Sequence, residues 1–219
     1  MKIHKLRFLG LFVAILSLAA SQAAAVTLTP GPSVITTGAP VPTGGTVLFS
    51  GPSLFTSATF SGTLTTSIIS GDPSNSYGGL TFTYLLANDV TSSHAIGRFT
   101  INDFDGFLVD ANYQTPTVGQ LPSLFDRSAG AGATIGESFI APIGGFPGLG
   151  LGVLAPGSTS ALWVVQTSAL YYQPTIASVI DGSVAPVATF APAVPEPSTL
   201  ALAGCAAVAL MAWRRRRAR

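Results

Sequence analysis

The sequence predicts an all-β fold, a β-sandwich of jelly-roll or immunoglobulin-like form, between two ends of a different kind. Two observations predict the sandwich. Short apolar runs alternate with Ser and Thr, recur at spacings of roughly 8–15 residues, and are separated by clusters of Gly, Pro, Asn and Asp. No stretch outside the two ends shows helical periodicity. A third observation sets the ends apart: each is an apolar run with basic residues beside it, which predicts an N-terminal signal helix and a C-terminal short transmembrane helix.

Residues 1–25 read as a signal peptide. Lys2, Lys5 and Arg7 form its basic start, and Phe8 to Ala20 its apolar stretch. Ala23, Ala24 and Ala25 offer the small residues that a signal peptidase accepts before Val26. The alternative, a retained membrane anchor, is disfavoured by the short run and its small-residue exit.

Residues 26–190 are the expected exported β domain. Val26 to Thr46 is rich in Pro, Gly and Thr and reads as an irregular arm or edge. Phe60, Gly62, Leu64, Thr66 and Ile68 then occupy alternate positions, as a half-buried strand requires. Gly71 to Gly79 is a loop by its turn residues. Leu80, Phe82, Tyr84 and Leu86 alternate again, and Ala95–Ile101, Phe107–Tyr113 and, more weakly, Ala133–Ile140 are further strand candidates. Pro142 to Gly157 is a Gly/Pro-rich loop. Ala161 to Thr167 is almost continuously apolar, which suits a central strand. Thr175–Ile180 and Ser183–Phe190 flank Asp181-Gly182, the best short hairpin signal in the chain.

Charge is distributed unevenly. Between Val26 and Val194 there are two cations, Arg98 and Arg127, and eight acids: Asp72, Asp89, Asp103, Asp105, Asp110, Asp126, Glu137 and Asp181. Two minus eight gives this span a formal charge of −6, which the whole-chain value of +1 conceals. An acidic, lysine-free surface repels phosphate backbones, so no nucleic-acid partner is expected. The only cysteine is Cys205, near the C-terminus, so the middle of the chain holds no disulfide and must be held by its core.

Few constellations point to chemistry. Asp103, Asp105 and Asp110, with Asn102, could offer oxygens to Ca²⁺, but Asn-Asp-x-Asp-Gly is also ordinary turn chemistry and the calcium-loop spacing fails at Ile101 and Asn112. His94 with Asp89 or Asp103 and a serine composes a triad on paper, without a nucleophile elbow. Asp103, Asp110, Asp126 and Glu137 could include a glycosidase pair, as any acidic domain could. Tyr77, Tyr113, Tyr171, Tyr172 and Trp163 are candidate sugar-stacking platforms, although Trp163 sits among apolar neighbours and belongs in the core. Gly148 to Gly152 resembles a nucleotide loop but lacks a lysine and a following helix. No catalytic residue and no cofactor is expected.

The last residues read in three parts. Val194, Pro195, Glu196 and Pro197, within the proline-rich linker 191–198, form an extended polar step of the shape a protease cleft accepts. Residues 199–213 are an apolar run of about 22 Å as helix, against a hydrocarbon core of about 30 Å. Arg214, Arg215, Arg216 and Arg217, within the basic tail 214–219, are a stop that prefers the cytoplasmic face. This tripartite order resembles the PEP-CTERM sorting signal of Gram-negative-type bacteria. The resemblance implies recognition by an exosortase, cleavage near Pro195-Glu196-Pro197, transient residence in the cytoplasmic membrane, and delivery to the cell surface or medium, with exopolysaccharide as an associated partner. The same tail resembles the C-terminal region of an ice-binding protein, but Thr63-Leu64-Thr65 and Thr81-Phe82-Thr83 are isolated and make no repeated ladder. The expectation is an exported surface or matrix protein that is not an enzyme. The alternatives are a calcium- or carbohydrate-binding module, or a plain tail-anchored protein.

Overall fold

The computed structural model describes residues 26–35, 38, 44–115, 117–140 and 152–194. The signal-helix and transmembrane-helix readings, and most of the Gly/Pro loop read over 142–157, lie outside the described residues. Among the described residues there is no helix, and twelve strands account for the regular structure. They are β1 (Val26–Thr27), β2 (Ser33–Val34), β3 (Thr46–Thr56), β4 (Ser61–Ser70), β5 (Thr81–Asn88), β6 (Arg98–Ile101), β7 (Val109–Tyr113), β8 (Leu124–Arg127), β9 (Ile135–Ser138), β10 (Trp163–Thr167), β11 (Tyr171–Asp181) and β12 (Ser183–Ala193).

These strands build two six-stranded antiparallel sheets, ordered β1-β7-β10-β5-β4-β3 and β12-β11-β6-β9-β8-β2. The alternation read in the sequence reappears as burial. In β4, Gly62, Leu64, Thr66 and Ile68 are buried while the residues between Ser61 and Ser67 on the other face are only half-buried. All five residues of β10 are buried, as a strand placed between β7 and β5 should be. Residues 26–34 do form an edge, but a divided one: β1 closes one sheet against β7 and β2 closes the other against β8.

Two strands carry no clear alternation in the sequence, and the reason is local. β3 contains Gly51-Pro52, a pair that normally argues against a strand, yet β3 is an edge strand and Pro52 is exposed there, where its missing N–H costs no ladder bond. β8 is four residues long and half charged, so its period cannot be read. The hairpin at Asp181-Gly182 is present and longer than its apolar runs suggest, with eleven residues in each arm and Gly182 at the tip at φ 65°.

Rings from both sheets meet in one core. Tyr84 and Phe99 lie 6.0 Å apart, Phe99 and Trp163 5.8 Å, and Phe125 and Trp163 5.5 Å, each pair joining a strand of one sheet to a strand of the other. Polar groups join the sheets too: the Thr66 and Thr189 hydroxyls share a 2.8 Å hydrogen bond, and the Tyr84 hydroxyl donates to the Phe190 carbonyl at 2.8 Å. Phe49 of edge strand β3 rests on Phe190 of edge strand β12 at 4.5 Å, so these two edges shield each other. Each fully buried Leu, Ile or Phe stabilises the fold by about 1.5–3 kcal/mol, and without cysteines between Val26 and Val194 this core is the main source of stability.

Candidate functional site

The acidic turn between β6 and β7 is the first candidate to test against geometry. Asp103 adopts a left-handed conformation at φ 71°, which lets the chain reverse and drive Phe104 fully into the core against Phe82. The turn's oxygens are occupied by protein donors. The Thr175 hydroxyl donates to Asp103 at 2.6 Å, and the Thr134 hydroxyl donates to Asn102 at 2.8 Å. Asp110 lies on β7, buried, and accepts from the Tyr77 hydroxyl at 2.7 Å. Asp105 is exposed. Among the described residues no three His, Cys, Asp or Glu side chains converge in a group that could hold a metal ion, so Asp103, Asp105 and Asp110 are not brought together as a ligand set.

What organises this region is Arg127, a residue not singled out by the sequence pattern. Its guanidinium is buried and donates to four carbonyls: Gly132 at 2.7 Å, Leu28 at 3.2 Å, Phe104 at 2.5 Å and Phe107 at 3.0 Å. It therefore ties the N-terminal arm, the acidic turn and the β8–β9 turn together. Burial lowers its pKa and the nearby Asp105 carboxylate opposes that shift. Arg98 lies on the outer face of its sheet, where it makes a bidentate pair with Asp126 at 2.8 and 2.6 Å. Gly136 on the intervening strand makes this possible, because any side chain there would collide with the Arg98 guanidinium.

The other candidates are dispersed. His94 is exposed beside the hairpin tip, with Nδ1 3.2 Å from Asp181. Asp89 instead accepts from the Ser61 hydroxyl at 2.8 Å, and the Ser92 and Ser93 hydroxyls donate to the Ser61 and Thr59 carbonyls. Asp126 and Glu137 occupy opposite faces of their sheet, because Asp126 pairs with Gly136 while Glu137 pairs with Phe125. Glu137 is 1% exposed, its Oε1 has no hydrogen-bond partner, and burial raises its pKa well above the ordinary carboxylate value. Thr81 and Thr83 are buried and offer no surface ladder.

Among the aromatic candidates, Trp163 and Tyr113 are core residues, and Tyr77 is engaged with Asp110. Tyr171 and Tyr172, at 56% and 38% exposure, remain available at the start of β11. Two shallow hollows of about 220 and 290 Å³ lie on the outer faces, the first beside Arg98 and Asp126 and the second beside Leu85, Gln114 and Leu162. Both fall below the volume usual for a small-molecule site.

The chain leaves the described fold through β12. Ala193 still pairs with Tyr171, and Val194 follows at 64% exposure. Pro195, Glu196, Pro197 and Arg214 to Arg217 lie outside the described residues. Residues 193–217 match the model of one family, the PEP-CTERM protein-sorting motif. No curated protein and no solved structure matches the chain. The match begins on the last residue of β12, so the sorting motif is joined to the folded domain with no intervening spacer. A motif of this kind implies export and processing by an exosortase.

Proposed function

We propose, from the premise that this chain ends in a PEP-CTERM sorting motif, that it is an exported protein delivered by an exosortase to the cell surface or extracellular matrix, where it acts without catalysis. In this reading residues 1–25 are removed by a signal peptidase, residues 199–213 cross the cytoplasmic membrane transiently, and Arg214 to Arg217 hold the tail on the cytoplasmic side. The two sheets form a β-sandwich of jelly-roll or immunoglobulin-like form that serves as the displayed body, with exopolysaccharide as its surroundings. The observation that carries the proposal is the motif match over 193–217, joined directly to the end of β12.

Replacing Pro195, Glu196 and Pro197 with alanine tests it. The native protein should be found at the surface or in the medium, with an intact mass lacking the apolar run. The triple variant should stay full-length in the inner membrane. Native protein found only there, uncut, would identify a plain tail anchor and overturn the sorting claim.

A further inference from the structure

One end of the molecule combines exposure, apolarity and closeness to the tail. Leu170, Tyr171, Tyr172 and Val194 are 69%, 56%, 38% and 64% exposed. The pairing of Tyr171 with Ala193 and Tyr172 with Pro192 sets them side by side where β12 ends. Tyr172 packs edge-on against Phe190 at 5.6 Å, and Phe190 against Phe49, which brings exposed Val47 and Leu48 at the start of β3 to the same end. The one charged residue of the hairpin, Asp181, is at its opposite tip, ten residues or about 33 Å along β11. Within this hairpin and its flanking residues most of the large exposed apolar groups gather at one end and its single charge lies at the other, a pattern that marks a contact surface.

The length of chain beyond Val194 says what covers it. Four residues, 195–198, separate Val194 from the apolar run. Fully extended they span about 14 Å at most. The interfacial layer on each side of a bilayer is roughly 5–8 Å deep. With the run inserted, this end of the domain is held at the headgroups. Tyrosine suits that level, with an apolar ring and a hydroxyl that stays wet.

We propose that the corner formed by Leu170, Tyr171, Tyr172 and Val194 is a lipid-contact surface that seats the unprocessed chain on the outer leaflet of the membrane holding its tail. Seating fixes the height of Pro195-Glu196-Pro197 above the membrane and presents it to a membrane-embedded protease. The inference rests on the reading that residues 199–213 insert, and Cys205, the chain's only cysteine, allows the two to be judged separately.

The experiment uses the full chain in phosphatidylcholine vesicles, with one nitroxide label per sample read by its collisions with oxygen and with an aqueous nickel chelate. Labels are placed on native Cys205 and, in a Cys205→Ala background, on Tyr171→Cys, Leu170→Cys and Val90→Cys. Val90 is 80% exposed in the loop that carries His94 beside the hairpin tip, and it serves as the aqueous reference. The expected result is a deep label at 205, with labels at 170 and 171 shielded from the chelate severalfold relative to 90. A deep label at 205 with 170 and 171 as accessible as 90 overturns the seating and leaves the tail reading intact. An accessible label at 205 overturns both. Shielding of 170 and 171 that requires added matrix polysaccharide and not lipid also overturns the proposal, since the occupant is then a glycan.

Discussion

The turn region held by Arg127 and the centre of the core around Glu137 and Trp163 handle buried polar groups in opposite ways. Arg127 is buried, and its donors meet four carbonyls drawn from three separate segments. Glu137 and Trp163 are buried just as deeply, yet Glu137 Oε1 and Trp163 Nε1 have no hydrogen-bond partner. Phe99 and Phe125 lie opposite Glu137 on the neighbouring strands and pack on Trp163, so both polar atoms border the same aromatic cluster. The difference teaches that burial alone does not tell whether a polar group fastens a fold or burdens it. A guanidinium surrounded by carbonyls is a fastening. A carboxyl among rings is held neutral, and its ionisation opposes folding.

The sharpest way to break this contrast is Arg127→Ala. It leaves four carbonyls without their donor, and losing hydrogen bonds to a charged group at this density should cost about 3 kcal/mol or more. A fall in Tm of roughly 6–12 °C is expected for a domain of this size, read by thermal unfolding. A fall of only a degree or two would mean that the four contacts are replaceable.

The next effect concerns pH. Because the folded-state pKa of Glu137 is raised above its ordinary 4.5, the folded state binds more protons than the unfolded state above that value. The contribution is fully present below the unfolded pKa and is lost as pH rises through the folded one. Stability should therefore fall with increasing pH above 4.5, by up to about 1.4 kcal/mol per unit from this group. Denaturant unfolding of native protein and Glu137→Gln across pH 4 to 9 checks it: the variant should lose this slope and gain relative stability toward alkaline pH. Identical profiles would remove Glu137 from the account.

Trp163→Phe should cost less, about 1–3 kcal/mol, because the loss is packing volume and the orphaned Nε1–H disappears with it. A larger loss would reveal a hydrogen bond made by that group. Asp103→Asn should be the smallest change, under about 1 kcal/mol, since asparagine tolerates the left-handed backbone and can still accept from Thr175. The same variant titrated with Ca²⁺ should behave as the native domain does, with no calcium-dependent rise in Tm in either.

Much of the fold was legible in the residues. The alternation in β4 and β5, the apolar run of β10 and the turn at Asp181-Gly182 each follow from a local period or a local backbone requirement. β3 and β8 were not legible, since Pro52 is tolerable only because β3 became an edge, and four residues of β8 carry no period. The acids Asp103 and Asp110 were visible as polar residues, but their partners Thr175 and Tyr77 lie far away in sequence. No spacing rule connects them.

The amino-acid sequence by itself determined the address and the material of this protein: the sorting motif over 193–217, an acidic middle without cysteine, and strands where apolar residues alternate. These are properties of short windows, readable because charge, hydropathy and period are local. Only the tertiary structure decided that Arg127 is a fastening while Glu137 buries a carboxyl oxygen, Oε1, without a partner, and that exposed apolar side chains gather where the tail departs. Those outcomes depend on which strands become neighbours, and pairing between segments tens of residues apart is settled by the whole core at once.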